Sequence, residues 1–275
     1  MSKYEKKVIS ISRRQEMLGF FPDRIRHILE TKLPPSRVHT LVFWTKNPAP
    51  IFQDQSLADL IRKYDQTFFH VTITGMGGTF LEPGIPESSE MLAILENVSR
   101  FTGDPERVRV RFDPIVHLVR KQGQEYSNLS FFPKVAEAAC KAGVRNIIVS
   151  WMSVYPKVLR RLDRYGITPK NLTRDQWLAD YRLIKHEAEQ RNIRIHGCCE
   201  MQMGKSACID GHLLSRLHPA REQASLEKAA GQRIHCGCTK SWDIGWYNPC
   251  PGGCIYCYAN PVVSKNIEIP FQDGI

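Results

Sequence analysis

The 275-residue sequence contains no run of 18 consecutive apolar residues, which leaves no segment able to cross a bilayer as a helix. Its first 14 residues are basic and polar around a short Val8-Ile9-Ser10-Ile11 run and lack the apolar stretch of a secretory signal; the expectation is a cytoplasmic protein with no membrane partner. Low-complexity linkers and internal repeats are also missing, so neither a tandem array nor a string of tethered modules is expected. Acidic residues are the scarcer sign, 28 against 38 Lys and Arg, for a net charge of +10. That surplus attracts phosphate-bearing partners. It is spread from Lys6 and Lys7 through Arg62, Lys63, Arg120 and Lys121 to Arg160, Arg161 and Arg164, with no dense block, so it fits a solvated basic surface as well as a nucleic-acid footprint. Cysteine is almost absent from the first 197 residues, where only Cys140 occurs, inside an Ala-rich helical stretch that suits a small buried side chain. The other eight of the nine cysteines crowd between Cys198 and Cys257. In a reducing compartment such crowding points to metal or cluster ligation, not to disulfides.

What is present is a regular alternation. Runs rich in β-branched and aromatic residues at 7–12, 40–45, 68–74, 108–112, 146–151 and 193–197 read as strands. Between them, 22–31, 56–64, 88–101, 130–142, 155–162 and 173–190 read as amphipathic helices, with Ser88 and the Thr173/Gln176 capping box as start signals and Gly143 and Gly166 as stops. Six β–α units in succession predict an α/β fold of parallel strands with right-handed crossovers, either a barrel or an open doubly wound sheet. With 42% hydrophobic residues the chain can bury one large core, divided as a β/α barrel over 1–200 and a Cys-rich segment over 201–275 packed on it.

The strand faces bear on the choice. His70, Thr72 and Thr74 alternate with Val71 and Ile73; Arg109, Arg111 and Asp113 alternate with Val108, Val110 and Phe112. Helices should cover the apolar faces, and the polar faces must then line an interior where unpartnered arginines would be very costly. A wide hydrated or ligand-filled lumen removes the conflict, as do internal ion pairs of Arg109 or Arg111 with Asp113. The C-terminal ends of the strands, where parallel barrels do their chemistry, carry Arg13, Arg14 and Lys46, suited to a carboxylate or phosphate, and Asn47, Asp113 and Glu200, suited to an amino group or ribose hydroxyl. Gly75-Met76-Gly77-Gly78 is no dinucleotide fingerprint, because its glycines are misplaced and no helix follows at once.

The sharpest signal is Cys250-Pro-Gly-Gly-Cys254-Ile-Tyr-Cys257-Tyr258. Three thiols on one short loop can face one small object, yet a zinc or an ordinary cluster asks for four protein ligands. Either Cys236 or Cys238 closes a zinc knot, or one metal position stays open for chemistry. Cys-x3-Cys-x2-Cys with the aromatic Tyr256 before its last Cys resembles the cluster loop of the radical S-adenosylmethionine enzymes. That resemblance implies a [4Fe–4S] cluster on Cys250, Cys254 and Cys257, chelation of its fourth iron by S-adenosylmethionine, and reductive cleavage to a 5′-deoxyadenosyl radical. It also implies a partial (β/α)6 TIM-like barrel. The loop usually follows the first strand in that superfamily; here it lies late in the sequence, so a permuted arrangement is expected, with 242–248 running beside the first strand and the Cys-rich segment closing the barrel. The wider pattern, Trp44-Thr45-Lys46-Asn47-Pro48, Arg111-Phe112-Asp113-Pro114, Cys236-Gly237-Cys238 and 243–248, resembles a family known only as domain of unknown function 1848.

On this reading Arg13, Arg14, Lys46, Arg111 and Asp113 are candidate catalytic residues, and Asn47, Thr72, Thr74 and Glu200 candidate cofactor contacts. Cys199, Cys208, Cys236 and Cys238 would supply a second site, a [4Fe–4S] cluster or a zinc, with Cys198 spare or facing the lumen. A polar, anionic small molecule or a nucleic acid is the expected substrate, and flavodoxin or ferredoxin the expected reductant. Two other classes fit the same residues: a zinc-stabilised nucleic-acid-binding protein and a non-catalytic Fe–S electron carrier.

Overall fold

Short β-branched runs separated by helices have one economical packing, a parallel sheet with its crossovers on one side. The computed structural model describes residues 6–263 and has that form. Seven strands pair in the order β10-β1-β2-β3-β4-β7-β9, all parallel: β1 (Lys7–Ile11), β2 (Val38–Thr45), β3 (Thr67–Thr72), β4 (Val108–Ile115), β7 (Asn146–Trp151), β9 (Arg194–Gly197) and β10 (Trp242–Asp243). The six strands read from the sequence are all present, and β10 joins them at the β1 edge, with Ile9 opposite Trp242 and Ser10 opposite Asp243. β9 and β10 form the two edges, so in its hydrogen bonding the sheet is open.

Helices α2 (Pro22–Thr31), α4 (Gln55–Arg62), α5 (Ser88–Thr102), α6 (Phe132–Lys141) and α8 (Arg174–Glu189) cover the apolar face. There Ile9, Ile11, Leu41, Phe43, Phe69, Val71, Val110, Phe112, Ile147 and Val149 pack with Ile25, Leu29, Leu57, Leu95, Val135 and Ile184 in one buried core. The start and stop signals behave as read: Thr173 and Gln176 form a reciprocal capping box on α8. Gly143, at φ +76°, follows α6 in the left-handed region that glycine enters without a Cβ penalty.

The opposite face is partly a surprise. Its lower half is filled by the chain's own 205–239 segment, which carries α9 (Gly211–Leu217) and packs Cys208, Ile209, Leu214, Leu217 and Cys238 on Val8, Val42, Phe68 and Ile148. The buried polar side chains of this face receive backbone carbonyls of that segment: His70 Nε2 bonds Cys208 O at 2.9 Å, Gln66 Nε2 bonds Leu214 O at 3.0 Å, and Arg109 Nη1 donates to Ala207 O. A plug of irregular backbone needs such partners, because unpaired buried carbonyls are costly. Only the upper half, toward the C-terminal strand ends, stays open.

A second, three-stranded antiparallel sheet, β6-β5-β8 (Glu125–Ser127, His117–Arg120, Ile167–Pro169), extends beyond β4 and was not read from the sequence. Its strands are three or four residues long and too polar to show a period. With α7 (Pro156–Arg164), whose Val158 and Leu162 are buried, it forms an apolar group around Met76, Leu81, Val116, Leu118 and Ile167 on which Cys254, Ile255 and Tyr256 sit. No helix among the described residues is long and apolar enough to cross a membrane.

Candidate functional site

The open upper half is a cavity of about 1120 Å³. Its walls carry Arg13 and Arg14 after β1, Trp44 and Lys46 at the end of β2, Thr72 of β3, Arg111 and Asp113 of β4, Ser150 and Trp151 of β7, and both thiol groups, Cys250, Cys254 and Cys257 on one side and Cys198, Cys199, Cys208, Cys236 and Cys238 on another. The expectation that the late cysteine loop shares a rim with the charged strand ends holds in geometry. Asp243 explains how: at the end of β10 it accepts from Ser10 Oγ (3.1 Å), Ser12 Oγ (2.6 Å), Arg13 N (3.1 Å) and Gly245 N (2.9 Å), which binds β10 to β1 and brings the following loop over the strand ends.

The cysteine loop itself has no regular secondary structure and is fixed by its neighbours. Ile255 N donates to Leu81 O at 3.1 Å, Gly84 N to Gly252 O at 3.2 Å, and Cys250 N to Asn260 O at 2.8 Å. Arg161 Nη1 donates to the carbonyls of Ile255 (2.9 Å) and Cys257 (2.8 Å). Gly253 has φ +66°, and a Cβ there would stand 2.9 Å from Pro83 Cγ; at Gly84 one would stand 2.5 Å from Pro251 O. The Cys257 sulfur accepts from Ala259 N at 3.3 Å. Burial pushes all three thiols up, Cys254 furthest. Uncompensated thiolates are therefore unfavourable here, while metal coordination would supply the missing positive charge.

Beside the loop lies a network centred on Glu82, which is 1% exposed. Its Oε1 accepts from Thr74 Oγ1 (2.7 Å), Lys46 Nζ (2.8 Å) and the Tyr256 hydroxyl; Lys46 Nζ also reaches Tyr256 Oη at 3.1 Å. Burial pulls the Lys46 ammonium down, but Glu82, Cys254 and Asp113 together outweigh it and leave it above its ordinary value. Glu16 accepts from Gly19 N, Thr45 Oγ1 and Lys46 N, and burial still raises its carboxyl to about 6. On β4, Arg111 donates to Asp113 and, at 3.0 Å, to Cys208 Sγ, while Ser150 donates to Asp113. The ion pair considered from the sequence thus exists at the edge of an open cavity, and Arg111 also lies 5.1 Å from the Trp44 ring. Arg14 lies over Trp246 (5.6 Å) and Tyr247 (5.4 Å).

Three predicted contacts stand back from the cavity wall. Asn47 Oδ1 accepts from Ala49 N at 3.1 Å, at the start of α3 (Ala49–Gln53). Thr74 is buried under Glu82, and Glu200 Oε1 accepts from Trp151 N at 3.1 Å. Glu16, Glu82, Trp44, Asp243 and Arg233 were missed as site residues. Trp44 and Asp243 do stand in sequence motifs quoted above; Glu16, Glu82 and Arg233 sit in loops whose approach is set by tertiary packing.

The second thiol group gathers Cys198, Cys199, Cys208, Cys236 and Cys238 on the wall of the same cavity. All are free thiols. Among the described residues, the one set of three or more potential ligands whose atoms all lie within 4.8 Å of one another is Asp65, His218 and Glu222. Lys6 Nζ already bridges those two carboxylates at 2.8 and 2.9 Å, so that set is an ion-pair cluster carrying its own cation. Among the described residues no three cysteine sulfurs lie that close together. Four sulfurs on one tetrahedral zinc, with Zn–S bonds of about 2.3 Å, would stand about 3.8 Å apart.

A family model described as domain of unknown function (DUF1848) matches residues 13–259. No curated protein matches the chain. Among solved structures, the crystal structure of Streptococcus suis SuiB bound to S-adenosylmethionine aligns with a TM-score of 0.37 and 9% identity over 79% of this chain and 53% of that one. A second structure of SuiB aligns with a TM-score of 0.35 and 7% identity over 71% and 49%. The chain thus spans about half the length of these proteins.

Proposed function

The chain belongs to the family described as domain of unknown function (DUF1848), and from that premise we propose that it is an enzyme of the radical S-adenosylmethionine type. The observation that carries this reading is the opening of Cys250, Cys254 and Cys257 onto the same cavity as the charged C-terminal strand ends. Three thiols without a fourth in their own loop suit a [4Fe–4S] cluster with one iron left for an exchangeable ligand, and the Ala259 N–H at Cys257 suits a thiolate sulfur. When bound, the cluster and S-adenosylmethionine would supply an electron and, by cleavage of the cofactor, a 5′-deoxyadenosyl radical.

The protein's own residues have defined work in this reading. Cys250, Cys254 and Cys257 hold the cluster. Arg161, through the 255 and 257 carbonyls, fixes the loop and adds positive charge beside it. Lys46, held by Glu82 and Tyr256, presents an ammonium to the cavity, and Arg13, Arg14 and Arg111 add guanidiniums above aromatic rings. Walls of this kind select a polar, anionic substrate carrying a flat group. A small molecule and an unpaired nucleotide both satisfy that description. A partial barrel, extended at the β1 edge by the segment around β10, would hold a substrate in near contact with the cluster loop, which radical transfer requires. A low-potential one-electron carrier such as flavodoxin or ferredoxin would serve as reductant.

The test is the C250A/C254A/C257A variant, purified anaerobically beside the wild type. The wild type should show a reduced-cluster electron paramagnetic resonance signal that shifts on adding S-adenosylmethionine, and the variant should lose that signal together with about four irons. Unchanged iron and an unchanged spectrum in the variant would overturn the reading.

A further inference from the structure

The five thiols Cys198, Cys199, Cys208, Cys236 and Cys238 on the cavity wall are not used by the function proposed above, which rests on different residues. We propose that they form a second, four-thiolate [4Fe–4S] site held by Cys199, Cys208, Cys236 and Cys238, with Cys198 left as a free thiol beside it.

Three independent observations meet here. First, the thiols come from three separate segments, the end of β9, the residue pair before Asp210, and the stretch leading into β10, and they nevertheless line one cavity together. The chain between residues 198 and 240 has a single α-helix, of seven residues, so few backbone ladders hold it; a covalent centre tying its ends together would supply what secondary structure does not. Second, donors stand beside the thiols. Arg111 Nη1 reaches Cys208 Sγ at 3.0 Å and Ile209 N reaches Cys238 Sγ at 3.4 Å. Trp44, packed in the same apolar group as Cys208 and Cys238, has a buried indole N–H without a protein acceptor. Donors of this kind stabilise the charge of a thiolate-ligated cluster.

Third, the backbone distinguishes Cys199 from Cys198. A strand alternates its faces, so a residue after Cys198 in extended conformation would point toward the helix-covered side. Cys199 instead adopts φ +62°, in the left-handed region that a non-glycine residue enters at a cost, and lines the cavity with Cys236. Cys198, in contrast, continues the face of Arg194 and His196 and is engaged by Arg233 Nη2 at 3.5 Å.

The experiment uses the full-length protein reconstituted anaerobically with iron and sulfide, with iron, sulfide and zinc measured chemically and the cluster followed by Mössbauer spectroscopy. In the C250A/C254A/C257A background about four irons and four sulfides should remain. They should persist on adding C198S and disappear on adding C199S. Circular dichroism identifies any variant that fails to fold, and for that case C236S/C238S in the otherwise native chain gives the second readout, an expected fall from about eight irons to about four. No iron in the loop variant, one zinc in its place, retention in C199S, or an unchanged iron count in C236S/C238S would each overturn the proposal. A wild type holding only the irons that survive the loop substitutions would count against the function proposed above and support this second site.

Discussion

Glu82 is the residue on which the loop side of the cavity turns. It is buried and accepts from a lysine, a tyrosine and a threonine drawn from three different segments. Removing one partner of a buried pair leaves the other charge uncompensated, which typically costs about 3–5 kcal/mol. Glu82→Ala should therefore lower unfolding stability by about that amount, measured by anaerobic urea titration, whereas Tyr256→Phe, which leaves the pair intact, should cost about 1 kcal/mol. Equal effects would show that the network is not centred on Glu82. Glu16 makes a pH-dependent contribution. Its carboxyl is raised from 4.5 to about 6 by burial, so the folded state binds the proton more tightly than the unfolded state. Its contribution is fully present below about pH 4.5 and is lost as pH rises through about 6, a loss of about 2 kcal/mol. The difference in stability between wild type and Glu16→Gln should follow that step between pH 4 and pH 7. A flat difference would contradict it. None of this was legible in the sequence, because Glu16 and Glu82 lie in loops whose approach to Lys46 is set by packing.

At the scale of elements, β10 and the cysteine loop are the parts to perturb. Asp243 accepts four hydrogen bonds that join β10 to β1 and to the turn after it. Asp243→Ala leaves those donors without their acceptor and should destabilise by about 2–4 kcal/mol, with amide exchange at 8–13 and 242–245 rising more than elsewhere. Uniform exchange across the sheet would mean that β10 is not a separate attachment. Gly253→Ala forces an ordinary residue into the left-handed region against Pro83, a strain of about 1–2 kcal/mol before the clash is counted; iron uptake by the loop should fall while the fold is retained. The six longer strands and their helices were readable because each repeats a β or helical period over several residues and carries caps such as Thr173/Gln176. β10 has two residues, and β5, β6 and β8 three or four, too few for any period to show. They exist because a side chain such as Asp243, or an apolar group around Val116 and Leu118, holds them.

For the whole molecule, the polar alternation of the strands was read as a lumen, and it has two purposes. Its lower half, His70 and Arg109 with Gln66 below them, receives carbonyls of the 205–239 plug, and only its upper half, Thr72, Arg111 and Asp113, faces a cavity. A side chain that bonds a backbone carbonyl and one that awaits a ligand look alike in a sequence; what separates them is where the rest of the chain goes. The cysteines were more legible, since thiols crowded into a short stretch have few purposes, and the structure gathers eight of them around one cavity. The measurement that tests the central claim most directly is reductive cleavage of S-adenosylmethionine by the anaerobically reconstituted protein with dithionite, followed by chromatography of the products. Formation of 5′-deoxyadenosine by the wild type and its loss in C250A/C254A/C257A is the expected result. A wild type that carries its full iron yet forms no 5′-deoxyadenosine, or a triple variant that forms as much, would contradict the assignment.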